Sequence, residues 1–316
     1  MKNFTSVNDV ENVRSLVDSG IQLKQDPYAF HGLGSRKVLG LIFLNPSLRT
    51  RLSTQRAALN LGLEVMVMNF TGEGWALESK EGMIMDGDKA EHVREAAAVI
   101  GQYCDIIGLR SFPGLTDREL DYREEFLKDF IKYSGKPFIS LESATLHPLQ
   151  SLADIITIEE NKGKSRPKVV LSWAPHPKAL PQSVPNSFLE WAKKMDYDLT
   201  LTHPPGYELN EHFVKGISIE HEQKKAFEGA DFIYVKNWSS YLEYGKVLST
   251  DKDWMITLDK LKNTNRAGVM HCLPVRRNVV IADEVLDSEH SLVIEEAANR
   301  IYAAQAVLKE ILLTKS

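Results

Sequence analysis

An arginine flanked by hydroxyl side chains follows the first buried apolar run of the sequence. The segment is Pro46-Ser47-Leu48-Arg49-Thr50-Arg51. A turn from a strand into a helix brings backbone N–H groups and the positive helix end together, which favours binding of an anion. Ser47 and Thr50 add hydroxyl donors, and Arg49 adds a planar charged group suited to phosphate. A simpler interpretation is that Ser47 caps the helix and the arginines are solvated.

Two histidine motifs carry groups that can bind a carbonyl oxygen and an amide. His147-Pro148-Leu149-Gln150 begins a predicted helix, whose positive end favours a neutral imidazole able to donate to an oxygen that gains charge. His271-Cys272-Leu273-Pro274 follows a predicted strand. Because a residue before proline favours an extended backbone, we expect the carbonyls of Cys272 and Leu273 to accept from a primary amide. Taken singly, each motif also fits a purely structural role.

The elements that position these motifs alternate between short apolar runs and helical patterns. The first series predicts strands at 38–44, 64–69, 105–109 and 137–141, and helices at 48–61, 91–103 and 117–133. The second predicts strands at 168–173, 198–202, 231–235 and 267–271, and helices at 187–195 and 219–227. Such alternation is typical of parallel sheets covered by helices on both faces, so the predicted fold class is α/β.

The length of the chain, 316 residues, exceeds what one hydrophobic core usually supports, so we expect two domains. A helix predicted at 148–161 ends in the polar loop 161–167, which indicates the boundary. Residues 1–147 are the predicted first domain and residues 148–291 the second. A long amphipathic helix follows, and the segment 292–316 is expected to complete the first domain.

The composition excludes several classes of partner. With 43% hydrophobic and 26% charged residues and a net charge of −5, the chain lacks the basic field of a nucleic-acid binder. It shows no signal peptide and no membrane-spanning run, so a cytoplasmic protein is expected, with no membrane partner. Two cysteines, Cys104 and Cys272, are too few for a disulfide framework or a zinc site, and we expect neither a metal nor a cofactor.

The motifs S-x-R-T, H-P-x-Q and H-C-L-P, in this order along essentially the whole chain, resemble the transcarbamylase family. The resemblance implies two parallel-sheet α/β domains joined by two long interdomain helices, with a carbamoyl phosphate site between them. It also implies a homotrimer with shared active sites. The expected reaction transfers a carbamoyl group from carbamoyl phosphate to the side-chain amine of an N-acylated ornithine.

The resemblance also implies roles for individual residues. Carbamoyl phosphate is expected to contact Ser47, Leu48, Arg49, Thr50, Trp75, Arg110, His147, Gln150, Cys272, Leu273 and Arg300. Of these, Arg49, Thr50 and His147 are the candidate catalytic residues that stabilise charge on the carbamoyl oxygen. The acylated ornithine is expected to contact Ala90, Glu142, His176, Lys236 and Arg276. Without the family, Arg300 is interpreted as a surface charge of the last helix.

The acceptor is expected to be acylated because the Ser-Met-Gly loop, which grips a free α-amino group in ornithine enzymes, is absent after Asp231. The segments 71–75 and 173–181 resemble the N-acylornithine branch, whose tryptophan reaches the neighbouring subunit's site. Acetyl-specific members have Glu where we align Ala90 and Lys where Val280 stands. Since a succinyl group ends in a carboxylate, which an acidic residue repels, N-succinylornithine is the expected acceptor and N-acetylornithine the alternative.

Three other interpretations bear on this prediction. An alignment shifted by one residue places Glu91 at the site and reverses the argument from Ala90. A non-catalytic transcarbamylase-like binding subunit is the alternative of another class, and the complete set of arginines argues against it. A nucleotide-dependent dehydrogenase needs a glycine-rich turn, and neither Gly32-Leu33-Gly34 nor Gly72-Glu73-Gly74 has a third glycine at the required offset.

Overall fold

The computed structural model describes residues 1–70 and 75–314. The chain divides into two compact units. The first comprises Met1–Gly114, Glu119–Leu149 and the segment from Arg300 onwards, and the second comprises Leu115–Arg118 and Gln150–Asn299. Two long helices each contain residues of both units.

A five-stranded parallel sheet forms the centre of the first unit. The strands along the chain are β1 (Asn3–Phe4), β2 (Val38–Phe43), β3 (Glu64–Asn69), the short strands β4 (Leu77–Glu78) and β5 (Glu91–His92), β6 (Ile106–Arg110) and β7 (Phe138–Glu142). Strands β4 and β5 form a separate two-stranded sheet, and the main sheet has the order β1-β7-β6-β2-β3. The carboxyl ends of β7, β6 and β2 therefore lie side by side at one edge.

Helices cover this sheet with their apolar faces. They are α1 (Val13–Gln25), α2 (Arg49–Asn60), α3 (Val93–Tyr103), α4 (Arg118–Arg123) and α5 (Glu125–Ser134). Val93, Ala97 and Ile100 of α3 pack in one cluster with Phe130 of α5 and Phe138 of β7. Their spacing of three and four residues places them on one side of the helix, which is why α3 has a buried face.

The second unit repeats the plan with another five-stranded parallel sheet. The elements from Pro148 onwards are α6 (Pro148–Asn161), β8 (Lys168–Trp173), α7 (Ser183–Lys194), β9 (Asp198–Thr202), α8 (Glu211–Val214), β10 (Ser218–Glu220), α9 (Gln223–Phe227), β11 (Phe232–Lys236), α10 (Leu258–Leu261), β12 (Gly268–Met270), α11 (Asp283–Leu286) and α12 (Val293–Leu313). The sheet order is β10-β9-β8-β11-β12. Strands β8 and β11 are buried along almost their whole length, as central strands of a covered parallel sheet must be. The predicted α/β class with two parallel sheets is confirmed.

Two predicted helices were wrong in detail. The helix expected at 117–133 is broken into α4 and α5 at Glu124, which has a left-handed φ of 49°. The Glu124 carboxylate accepts hydrogen bonds from the backbone N–H and the hydroxyl of Thr145, at 2.9 and 2.8 Å. The helix expected at 219–227 begins only at Gln223, because residues 218–220 pair with β9 as an edge strand. In both places a contact distant in sequence overrides the local helical pattern.

None of the helices in the described part of the chain has the length and apolar character that crossing a membrane requires.

Candidate functional site

The segment predicted to bind an anion lies between β2 and α2 in the first unit. Helix α2 begins at Arg49, and its N-cap residue is Leu48, which makes no side-chain capping hydrogen bond. The simpler interpretation, in which Ser47 caps the helix, was therefore wrong. The first-turn N–H groups and the positive end of a 12-residue helix are thus directed at this turn.

Arg300 reaches the same turn from the C-terminal helix. Its Nη2 atom donates a hydrogen bond to Thr50 Oγ1 at 2.6 Å, although the two residues are 250 positions apart. Thr50 is 2% exposed and Arg300 is 6% exposed. The interpretation of Arg300 as a surface charge is therefore wrong, and the structure places a buried guanidinium beside the first turn of α2.

A second charged group lies at the ends of the neighbouring strands. Arg110 is the last residue of β6 and Glu142 the last residue of β7. Arg110 Nη2 lies 3.0 Å from Glu142 Oε2, and the Nε2 atom of His147 lies 3.6 Å from the same oxygen. All three side chains are at most 12% exposed. Glu142, predicted on the acylornithine side, thus contacts two residues predicted on the carbamoyl phosphate side.

The parallel topology explains why these residues assemble. Strands β7, β6 and β2 are neighbours in the sheet. Strand β2 ends three residues before Pro46, β6 ends at Arg110 itself, and β7 ends five residues before His147. Carboxyl edges of open parallel sheets are where ligands bind, because loops and helix starts converge there. The first unit therefore carries three buried or half-buried cations, Arg49, Arg110 and Arg300, near one sheet edge.

In the second unit, Gln150 is part of a buried polar cluster. Its amide nitrogen donates to Asp154 Oδ1 at 2.7 Å and to Glu296 Oε1 at 3.2 Å. All three side chains are fully buried. Burial, together with the charge of Asp154, raises the pKa of Glu296 well above its ordinary value. Burial and Asp154 also raise the pKa of Tyr234.

The segment 271–274 does not have the backbone that the sequence suggested. Leu273 has φ 54°, in the left-handed region, and the Leu273–Pro274 peptide bond is cis, so the extended backbone expected at Leu273 was wrong. The Leu273 N–H donates to Nδ1 of His271 at 2.9 Å, and this local bond accompanies the left-handed turn. The His271 N–H donates to Glu296 Oε2 at 2.8 Å, which ties the segment to α12.

Three basic residues of the second unit lie near one another. Arg276 Nε donates to His176 Nε2 at 3.1 Å. Partial burial lowers the pKa of His176, and the positive charges of Lys236 and Arg276 lower it further. A neutral imidazole beside two basic side chains suits a carboxylate ligand, because it accepts from Arg276 without neutralising either basic group. The structure therefore brings together the second-unit residues predicted for the acylated ornithine.

Trp75 and Ala90 lie beside the small sheet of β4 and β5. Trp75 is 49% exposed, and its indole N–H donates to Glu91 Oε2 at 3.0 Å. Ala90 is exposed, and its backbone N–H donates to the carbonyl of Ala76 at 2.9 Å. The carboxylate of Glu91 is thus held by Trp75. The rest of the 71–75 segment lies outside the described residues.

Val280 does not support the argument for the succinyl group, because its side chain is buried. It is 2% exposed and packs in the apolar core of the second unit with residues such as Ile256 and Ile281. The argument for the succinyl group therefore depends on Ala90.

Sequence reasoning missed the buried carboxyl groups of Asp154 and Glu296. A signal was present, because Asp154 follows Gln150 by four positions and so lies on the same face of α6. Glu296 precedes Arg300 by the same interval on α12. Two polar pairs at this spacing in otherwise apolar helices indicate buried hydrogen bonding.

Comparison with known proteins agrees with this arrangement. Residues 2–160 match the family model described as aspartate/ornithine carbamoyltransferase, carbamoyl-P binding domain, and residues 181–311 match the Asp/Orn binding domain of the same family. The chain is 54% identical over 314 residues, 99% of each chain, to an N-succinylornithine carbamoyltransferase of Bacteroides thetaiotaomicron. It is 36% identical over 293 residues, 86% of each chain, to an N-acetylornithine carbamoyltransferase of Xanthomonas campestris.

A solved structure of an N-acetyl-L-ornithine transcarbamylase is also similar, with a TM-score of 0.92 and 34% identity over 98% of this chain and 100% of that one. That protein is a variant with a glutamate changed to alanine, complexed with carbamyl phosphate and N-succinyl-L-norvaline. Two family models that together span most of the sequence, and relatives alike over nearly its full length, lead to one conclusion: this chain belongs to the aspartate/ornithine carbamoyltransferase family.

Proposed function

We propose that this chain transfers the carbamoyl group of carbamoyl phosphate to the δ-amine of N-succinyl-L-ornithine, giving N-succinyl-L-citrulline and phosphate in arginine biosynthesis. The observation that carries the proposal is the buried hydrogen bond of Arg300 to Thr50 at the start of α2, where cations and helix N–H groups converge. The 54% identity to an N-succinylornithine carbamoyltransferase supports the choice of acceptor.

In the proposed reaction the neutral amine attacks the carbamoyl carbon, and the bond from that carbon to the phosphate oxygen breaks. Negative charge forms first on the carbamoyl oxygen, where Arg49, Thr50 and His147 stabilise it. It then moves to the departing phosphate, which Ser47, Leu48, Arg49, Arg110 and Arg300 bind through N–H and hydroxyl donors. The phosphate takes the proton of the amine, so no separate base and no covalent nucleophile are needed.

The two ligands are assigned to different parts of the chain. We assign residues 1–147 and 292–316 to carbamoyl phosphate, and the family model described as carbamoyl-P binding, which matches residues 2–160, supports the first of these ranges. We assign residues 148–291 to the acylated ornithine. There the cluster of His176, Lys236 and Arg276 supplies the charge that a carboxylate of the acceptor requires.

The succinyl group is the proposed acyl group because Ala90 is small and neutral. A glutamate at this position repels the terminal carboxylate of a succinyl chain. The glutamate-to-alanine variant of the related acetylornithine enzyme, complexed with a succinyl analogue, supports this argument.

The first experiment measures formation of the citrulline product from carbamoyl phosphate with ornithine, N-acetylornithine and N-succinylornithine in parallel. Turnover confined to the succinyl substrate is the expected result. Preference for the acetyl substrate is consistent with the proposed carbamoyl transfer and overturns the argument from Ala90. No turnover with any of the three favours the alternative of a non-catalytic binding subunit.

Changing Ala90 to glutamate is expected to lower kcat/KM for N-succinylornithine relative to N-acetylornithine by about 10-fold to 100-fold, because two like charges near each other cost about 1–3 kcal/mol in a partly solvated site. The measurement is the ratio of the two kcat/KM values in competition. Ala90→Gln adds almost the same volume without charge and is expected to lower both values together. Glu91→Gln tests the other alignment, and a larger change in the ratio there than at Ala90 contradicts the proposal.

The pH dependence follows from the acceptor amine. An alkylamine has a pKa near 10.4, so between pH 6 and 8 kcat/KM for the acylornithine is expected to rise about tenfold per pH unit. The sign is upward because only the unprotonated amine attacks, and its fraction grows as pH increases. The measurement is kcat/KM at saturating carbamoyl phosphate. A kcat/KM that stays constant over this range contradicts the proposal that the enzyme binds the neutral form of the amine from solution.

We further propose a homotrimer with shared active sites, in the cytoplasm. The exposure of Trp75 supports a role for this side chain toward a neighbouring subunit. Sedimentation equilibrium, repeated with a Trp75→Ala variant, distinguishes an assembled trimer from a monomer. Mixed assemblies of the Trp75→Ala and Arg49→Ala variants are expected to regain activity if sites are shared. Some sites then combine an intact Arg49 from one subunit with an intact Trp75 from its neighbour.

A further inference from the structure

A buried pair of carboxyl groups in the second unit has no role in the reaction as proposed. Asp154 on α6 and Glu296 on α12 are both fully buried. Burying carboxyl groups is unfavourable unless they are hydrogen-bonded, and replacing buried charged groups by apolar residues is often neutral or stabilising. The hydrogen bonds of these two carboxyl groups therefore indicate their role.

The first contact is with the side-chain amide of Gln150. The amide has two N–H donors, and its nitrogen lies 2.7 Å from Asp154 Oδ1 and 3.2 Å from Glu296 Oε1. Rotating the amide by half a turn places its carbonyl oxygen against these carboxyl oxygens instead, which is electrostatically unfavourable. The pair therefore fixes the nitrogen inward, and the carbonyl oxygen necessarily points away from the carboxyl groups.

The second contact is with the H-C-L-P segment. Glu296 Oε2 accepts the backbone N–H of His271 at 2.8 Å, one residue before Cys272. The Glu296 carboxyl group thus hydrogen-bonds to two segments, and both segments contain carbonyl oxygens that can accept from a ligand. Burial raises the pKa of Glu296 well above its ordinary value, and the neighbouring charge of Asp154 raises it further.

We propose that Asp154 and Glu296 are positioning residues that hold the Gln150 carbonyl oxygen outward as an acceptor, so that the site selects the NH2 of carbamoyl phosphate over the methyl group of acetyl phosphate. The inference rests on the proposed function. Acetyl phosphate has nearly the same shape and charge, but its methyl group donates no hydrogen bond. A site built to bind an N–H group rejects an analogue that lacks it, because its own acceptors are then left without donors.

The two carboxyl groups permit different substitutions. Each oxygen of Glu296 accepts one N–H, from Gln150 and from His271. Glutamine has only one acceptor oxygen, so Glu296→Gln sets two donors against each other and releases the Gln150 amide. Asp154 accepts the Gln150 amide through Oδ1, so Asp154→Asn keeps an acceptor oxygen for Gln150, whereas Asp154→Leu removes that oxygen.

The experiment is calorimetric titration of each protein with carbamoyl phosphate and with acetyl phosphate, without acceptor, so that the reading does not depend on which acylornithine is used. The parent is expected to bind carbamoyl phosphate at least about 100-fold more tightly than acetyl phosphate. Glu296→Gln and Asp154→Leu are expected to lower this ratio at least about tenfold, while Asp154→Asn changes it less than about threefold.

A loss of stability alone does not change a ratio of affinities, which separates positioning from a structural role. Thr157→Val is the matched control, because Thr157 is also fully buried on α6 and its hydroxyl joins that helix to Asn299 of α12. It is expected to lower the melting temperature and leave the ratio unchanged. An unchanged ratio in folded Glu296→Gln overturns the inference, and if that variant does not fold, equal ratios in Asp154→Asn and Asp154→Leu overturn it. A parent that binds neither phosphate contradicts the proposed function itself.

Discussion

Replacing Arg49 with alanine is expected to lower kcat at least about 100-fold, because a donor aimed at a developing oxyanion contributes about 3 kcal/mol. Arg49 is the first residue of α2, next to Thr50, whose hydroxyl accepts from Arg300. In the proposed reaction the guanidinium also binds the phosphate before the chemical step, so KM for carbamoyl phosphate is expected to rise as well. Steady-state rates of citrulline formation, at varied carbamoyl phosphate, give both constants.

The matched control is Arg56→Ala. Arg56 lies two turns further along α2, is exposed, and donates to the hydroxyl of Tyr28 at 2.7 Å. This variant loses the same charge from the same helix but stays away from the turn, so its kcat is expected to remain within about twofold of the parent. If Arg49→Ala has a parental melting temperature and near-parental kcat, Arg49 has no place in the mechanism.

The sheets were predictable from sequence because their central strands, β2, β6, β8 and β11, are buried along almost their whole length. The predicted strands 64–69, 168–173 and 198–202 have the bounds that the structure gives. In a covered parallel sheet the apolar run and the strand coincide, so a local pattern is enough. Local pattern failed where distant groups determine the backbone, as at Glu124, whose carboxylate holds Thr145. Helix α1 and the short edge strands β1 and β10 also went unpredicted.

The site was predictable only in part, for a related reason. Anion-binding chemistry could be inferred at residues 46–51 because the strand, the turn and the helix start are adjacent in sequence. The partner of that turn, Arg300, is 250 residues away and sits in a helical pattern that looks solvent-exposed. Only the resemblance to a family placed Arg300 at the ligand. The opposite failure occurred at Leu273, where the general preference of a residue before proline gave way to a left-handed turn.

Glu142, the last residue of β7, lies close to basic side chains from two different segments. Its Oε2 atom lies 3.0 Å from Arg110 and 3.6 Å from His147. A carboxylate with two basic neighbours favours the side-chain positions that keep them close to it. Glu142 therefore matters for the orientation of His147, the residue expected to donate to the carbamoyl oxygen.

Replacing His147 with alanine is expected to lower kcat at least about 100-fold while KM for carbamoyl phosphate changes much less, because an oxyanion donor acts mainly in the transition state. His147 is 4% exposed and immediately precedes α6, so its position is fixed by packing and by Glu142. Removing a buried ring also lowers stability, and the assay is therefore run well below the melting temperature of the variant.

His147→Asn is the matched variant, because its side-chain amide keeps an N–H donor near the same place. It is expected to recover part of the lost kcat, which a purely structural histidine does not predict. The ratio of kcat between the asparagine and alanine variants thus measures the donor and not the packing, since both lose most of the ring. Equal kcat in the two variants, or a near-parental kcat in folded His147→Ala, shows that the carbamoyl oxygen is stabilised by Arg49 and Thr50 without the histidine.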